Sequence, residues 1–168
     1  KDYSALVSKV KSNGVEVLYI GGYHAEAGLM ARQMKDQGMS VQIVSGDALV
    51  TQEYWNISGD AGEGTLMTFG PDPRDKASAK AIVQKFESAG LNPEGYVLYS
   101  YAALQVFEQA ATKAKSVKRK DLINAMRSTS FDTVLGKINF DKKGDVIATK
   151  EDPLYIFYKF SKGSYAPL

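Results

Sequence analysis

Residues 15–47 read VEVLYIGGYHAEAGLMARQMKDQGMSVQIVSGD, and this stretch decides the architecture. Val15 to Ile20 is a run of β-branched and aromatic residues, which predicts a strand because such side chains suit a pleated surface. After Gly21-Gly22, the apolar residues Ala27, Met30, Ala31 and Met34 recur at the spacing of one helical face until Gly38 ends the element. Val41 to Val44 is a second short apolar strand. A strand, a helix and another strand in this order form a βαβ unit, whose right-handed crossover makes the two strands parallel. The expected fold class is α/β, with parallel sheets flanked by helices.

Upstream of this unit, Tyr3, Leu6, Val7 and Val10 share a helical face and Asn13-Gly14 supplies a stop. Downstream, Thr51 to Ile57 predicts a short helix and Thr65 to Phe69 a third strand. Gly70-Pro71-Asp72-Pro73 then breaks the pattern, since each proline restricts the residue before it. Beyond the break three amphipathic helices follow one another: Ala79, Ile82, Val83 and Phe86; then Leu104, Phe107, Ala111 and Ala114; then Leu122, Ala125 and Met126. Only Lys137 to Phe140 looks extended before the turn Asp141-Lys142-Lys143-Gly144, and Leu154 to Phe160 is a late strand ended by Ser161-Lys162-Gly163. Consecutive helices with so few strands need an outside sheet to pack on, and a chain that opens on a helix suggests that an N-terminal portion is missing.

Composition excludes several classes of function. The 168 residues are 44% hydrophobic and 24% charged, as in a globular protein, and 21 basic against 19 acidic side chains leave a net charge of only +2. No strong field would draw the chain to nucleic acid or an anionic membrane. There is no cysteine and a single histidine, so neither a disulfide nor a transition-metal site is expected. The glycines of Gly59 to Gly64 lack phosphate-loop spacing, and Asp60 and Glu63 would repel phosphate. Asp141 and Asp145 are too few for calcium beside Lys142 and Lys143. No cofactor is implied.

In open α/β sheets ligands bind beyond the carboxyl ends of the strands, which nominates Gly21-Gly22-Tyr23-His24 and Ser45-Gly46-Asp47. Gly22 lets backbone approach a ligand, Tyr23 offers a ring and a hydroxyl, and Asp47 offers a carboxylate for an ammonium. The plainer reading makes Tyr23 a loop aromatic and Asp47 a turn or N-cap residue. Tyr54 and Trp55 are either packing beneath the loop or a further ligand contact. His24, Ser45 and Asp47 suggest a nucleophilic triad, but no Gly-x-Ser-x-Gly elbow accompanies them.

Four motifs in order along nearly the whole chain carry a resemblance. They are Gly21-Gly22-Tyr23-His24-Ala25-Glu26-Ala27-Gly28; Tyr54-Trp55-Asn56-Ile57-Ser58-Gly59-Asp60-Ala61-Gly62-Glu63-Gly64; Tyr99-Ser100-Tyr101-Ala102-Ala103-Leu104-Gln105; and Phe131-Asp132-Thr133-Val134-Leu135-Gly136 with Phe140-Asp141-Lys142-Lys143-Gly144-Asp145. Together they resemble the leucine/isoleucine/valine-binding protein family, with which receptors for other small amino acids, including γ-aminobutyrate, share them.

The resemblance implies a periplasmic type I binding protein of about twice this length, a secreted carrier and not an enzyme, whose two lobes close on one amino acid and deliver it to the membrane permease of an ATP-driven importer. On that reading residues 1–70 belong to lobe two, residues 71–150 to lobe one and residues 151–168 to a return into lobe two. The missing N-terminal half is then a partner of this chain. The family's lobe-two tyrosine falls on Tyr23 and its ammonium-binding acidic residue on Asp47. That residue is glutamate in leucine-binding members, and the shorter aspartate implies a bridging water or a different or longer ligand. Two other classes share these features: an α/β hydrolase or transferase using the same crevice, and the effector-sensing domain of a regulator.

Overall fold

The structure is a computed structural model that describes residues 2–150 and 153–168. It divides into two compact units, one formed by residues up to Pro71 together with those from Pro153 to Leu168, the other beginning at Asp72.

The first unit runs α1 (Ser4–Ser12), β1 (Val17–Ile20), α2 (His24–Asp36), β2 (Gln42–Ser45), α3 (Gln52–Ser58) and β3 (Leu66–Phe69), and closes with β6 (Ile156–Ser161) and β7 (Ser164–Pro167). One sheet holds all five strands in the order β1-β2-β3-β6-β7. The βαβ units make β1, β2 and β3 parallel, but β6 and β7 are antiparallel, so the sheet is mixed where a parallel one was expected. The reason is local. Lys162-Gly163, both at positive φ, form a two-residue hairpin turn between β6 and β7, and a hairpin can only make antiparallel neighbours. Ser161-Lys162-Gly163 therefore turns the chain into a further strand instead of ending the sheet.

Pleating sends Leu18, Ile20 and Ile43 to one face, where they pack with Val7 and Val10 of α1 and Ala31 and Met34 of α2. Tyr54 and Trp55 of α3 cover the same sheet further along, against Phe160 of β6. Gly28 lets α2 and α3 touch: a Cβ placed there would lie 2.7 Å from Ile57 Cγ2 and 3.3 Å from the Ser58 amide nitrogen. The register puts Val17, Tyr19, Val44, Leu66, Thr68 and Phe157 on the opposite face. There Val17 is 61%, Tyr19 67% and Phe157 53% exposed while Val44, Leu66 and Thr68 are half-buried, so much of this side of the sheet lies open.

The second unit holds α4 (Lys80–Ser88), α5 (Val97–Ala114) and α6 (Arg119–Ser128), with a hairpin of β4 (Phe131–Thr133) and β5 (Gly136–Ile138). Its helices bury their faces on one another and on this hairpin, two short strands where one extended run was expected. The stripe of α5 that is buried is Leu98, Ala102, Val106 and Ala110, whereas Leu104 and Phe107 are exposed. Gln105 and Gln109 of α5 hold the hairpin by bonds to the backbone of Val134 and Asp132. The unit's first residue, Asp72, caps a short 3-10 turn and pairs with Arg74. Burial pushes the Asp72 carboxyl up, but the hydrogen bonds and charge of Arg74 together hold it below the ordinary range. Asp141 accepts the amides of Lys143, Gly144 and Asp145 through one carboxylate oxygen, an Asx-type turn.

Candidate ligand-binding rim

The site begins with the pairing of β1 and β2. Ile20 stands opposite Ser45, and the Ser45 hydroxyl donates to the Ile20 carbonyl at 2.7 Å, so the two parallel strands end together. The loops that follow, Gly21-Gly22-Tyr23 and Gly46-Asp47, therefore open onto one rim. Tyr23 is the extended residue preceding α2, its carbonyl accepting the helix's first hydrogen bond from Ala27, and its side chain is 72% exposed. Asp47 starts a 3-10 turn that leads through Thr51, whose hydroxyl caps α3, into that helix. The Asp47 side chain is half-buried and, among the described residues, has no hydrogen bond or ion pair.

Neither Gly21 nor Gly22 needs a positive φ, and a Cβ at either would meet its neighbours only at 3.7 Å. Internal packing does not call for these glycines, so what their smallness provides is open backbone at the rim. Sequence reasoning missed Tyr19. Its hydroxyl lies 3.9 Å from where a Cβ on Gly46 would stand, so an exposed phenol from the sheet's open face reaches the same rim. The strict alternation of β1 was the available signal, since it sets Tyr19 apart from Leu18 and Ile20.

Tyr54, kept as a possible ligand contact, is a core residue. It is fully buried, its hydroxyl shares a hydrogen with Thr65 Oγ1 at 2.9 Å, and its ring packs on Phe160 at 5.2 Å. Burial pushes its phenol up, partly opposed by the Thr65 bond. Trp55 stacks on Phe160 at 5.9 Å and lies against Gly163, so its indole covers the β6–β7 turn. Both rings are thus committed to the late strand β6 and its turn.

The triad does not assemble. Ser45 is 2% exposed and gives its proton to Ile20, while His24 Nε2 meets Glu53 of α3 at 2.9 Å. Among the described residues no three histidines or carboxylates gather to hold a metal ion, and no helix is long and apolar enough to cross a membrane.

A half-buried carboxylate without a partner, an exposed tyrosine and open glycine backbone on one rim suit a small cationic or ammonium-bearing molecule. Known proteins resemble the chain along nearly its whole length. The chain is 49% identical over 165 residues to Leu/Ile/Val-binding protein homolog 1 of Brucella suis biovar 1, covering 98% of this chain and 43% of that protein. It is 41% identical to an amino acid binding protein of Pseudomonas aeruginosa, over 100% of this chain and 45% of the relative. The chain thus spans less than half the length of these relatives. The crystal structure of a leucine binding protein from Thermotoga maritima superimposes with a TM-score of 0.82 at 29% identity, over 99% of this chain and 47% of the other. The branched-chain amino acid substrate binding protein of Streptococcus pneumoniae shares the fold, with a TM-score of 0.75 at 19% identity. A model of the periplasmic binding protein family matches residues 1–159, and the chain belongs to that family, with its type I α/β fold.

Proposed function

We propose that this chain forms part of the substrate-binding component of an ABC-type amino-acid importer, which takes a branched-chain or related small amino acid in the periplasm. The observation that carries the reading is Asp47: a half-buried carboxylate that nothing among the described residues satisfies, on a rim shared with exposed Tyr23. With no hydrogen bond or ion pair among the described residues, the carboxylate is available to pair with an incoming ammonium. Tyr23 packs on or bonds to the ligand, and the open backbone at Gly22 lets it come close. The relatives' names, leucine/isoleucine/valine binding and amino acid binding, support the same ligand class.

Because the relatives are more than twice as long, the rest of the receptor lies in sequence outside this chain. We assign the first unit to one lobe and the residues from Asp72 to the other, the missing half of the protein supplying the remainder of both. Lobe closure traps the ligand, no bond is broken, and the membrane permease of the importer receives it.

The test is calorimetric titration of the protein expressed from its complete reading frame with leucine, isoleucine, valine and γ-aminobutyrate. One of them binds, and Asp47→Asn weakens it by about 10- to 100-fold, the worth of a charge-assisted hydrogen bond. Full affinity in Asp47→Asn overturns the reading. The 168-residue chain by itself binds weakly, since a ligand favours closure only through what both lobes contribute.

A further inference from the structure

We infer that the side-chain contact between His24 and Glu53 is a clip that fastens the two ligand-bearing loops to each other, and so positions Tyr23 and Asp47 for binding. The inference rests on the amino-acid reading above. His24 is the first residue of α2, directly after Tyr23, and Glu53 is the second residue of α3. Their side chains meet at 2.9 Å with His24 32% and Glu53 68% exposed. Among the described residues no backbone bond runs between the Tyr23 loop and the stretch Asp47–Glu53; below the rim the strands are joined by their ladder and by the Ser45 hydroxyl on Ile20.

Each end of the clip is stiffly coupled to a site residue. On one side Tyr23 and His24 are adjacent, and the Tyr23 carbonyl is held by Ala27 at 3.0 Å. On the other, successive short bonds run from Asp47 to α3: Val50 to the Asp47 carbonyl at 3.0 Å, Thr51 to that of Leu49 at 2.9 Å, and Glu53 to the Thr51 hydroxyl at 3.3 Å. Little slack remains between Asp47 and Glu53. Further down, the Gly28–Ile57 contact fixes where α2 crosses α3. Ala27, Leu49 and Val50 are buried below the loops, and the His24–Glu53 contact joins the two helix starts at the surface above them.

The experiment is a double-mutant cycle on the protein expressed from its complete reading frame, with His24→Ala, Glu53→Ala and the combination, read in amino-acid affinity well below every variant's melting temperature. Each single change weakens binding about two- to fivefold, the range open to a half-exposed ion pair, and the double variant is no weaker than the weaker single one. Losses that multiply, or affinities unchanged while melting temperature falls, overturn the clip and leave a merely structural pair. Amide hydrogen exchange in the ligand-free protein separates the two readings: the amides of residues 21–24 and 46–51 exchange faster in each variant while those of β6 do not. Should the parent protein bind none of the amino acids, the functional reading fails, and the exchange pattern still decides the clip.

Discussion

Tyr54 shows how a single buried hydroxyl is committed by its surroundings. Its phenol and Thr65 Oγ1 are both out of water and have each other as partner. Tyr54→Phe removes one member and leaves the other unsatisfied, so denaturant unfolding is expected to show a loss of about 1–2 kcal/mol. The same group titrates late. Its folded value is raised above the ordinary 10.0, chiefly by burial, so the unfolded chain releases the proton first. Stability is thus fully present below pH 10 and lost as pH rises beyond it, and Tyr54→Phe flattens that alkaline decline in a pH series of unfolding midpoints. Sequence reading found the rim loops because strand ends of a βαβ unit must open side by side. It could not assign Tyr54 and Trp55, because the strand they pack on, β6, arrives about a hundred residues later and leaves no trace in the local pattern.

Between elements, the crossing of α2 over α3 depends on the missing side chain of Gly28. A methyl group there would stand 2.7 Å from Cγ2 and 3.0 Å from Cβ of Ile57 and 3.3 Å from backbone, so rotating the isoleucine alone cannot clear it. Gly28→Ala is expected to cost about 1–3 kcal/mol, measured as a lowered unfolding midpoint, in spite of alanine's better helix propensity. Ile57→Ala, which removes the clashing Cγ2, costs less in that background than in the parent. The helical period of α2 was readable because Ala27, Met30, Ala31 and Met34 are all buried on one stripe, with Gly28 beside it. In α5 the period was right and the face half right: Ala111 and Ala114 pack on the core, whereas Leu104 and Phe107 are exposed. The stripe that is buried is instead Leu98, Ala102, Val106 and Ala110, which meets the other helices and the β4–β5 hairpin. The hairpins themselves escaped notice because their strands are three to six residues long and their turns resemble loop ends.

For the molecule as a whole, the break at Gly70-Pro71-Asp72-Pro73 lies where one compact unit gives way to the next, and the chain returns to the first unit through β6 and β7. What local sequence could not disclose is that, among the described residues of the first unit, all three α-helices lie on one side of the five-stranded sheet. Strands with parallel neighbours are ordinarily buried on both faces, and here Val17, Tyr19 and Phe157 are more than half exposed. The 168-residue chain is therefore expected to bind an apolar fluorescent dye in its native state. Val17→Lys with Phe157→Lys lowers that fluorescence severalfold without shifting the unfolding midpoint by more than about 0.5 kcal/mol, as befits surface positions. β1 is also the outermost strand of the sheet on that side, with its far edge unpaired among the described residues. In concentrated solution such an edge is an invitation to add a stranger's strand, so shelf life and tolerance of crowding hinge on a few side chains at positions 17 and 19, whatever the free energy of global unfolding.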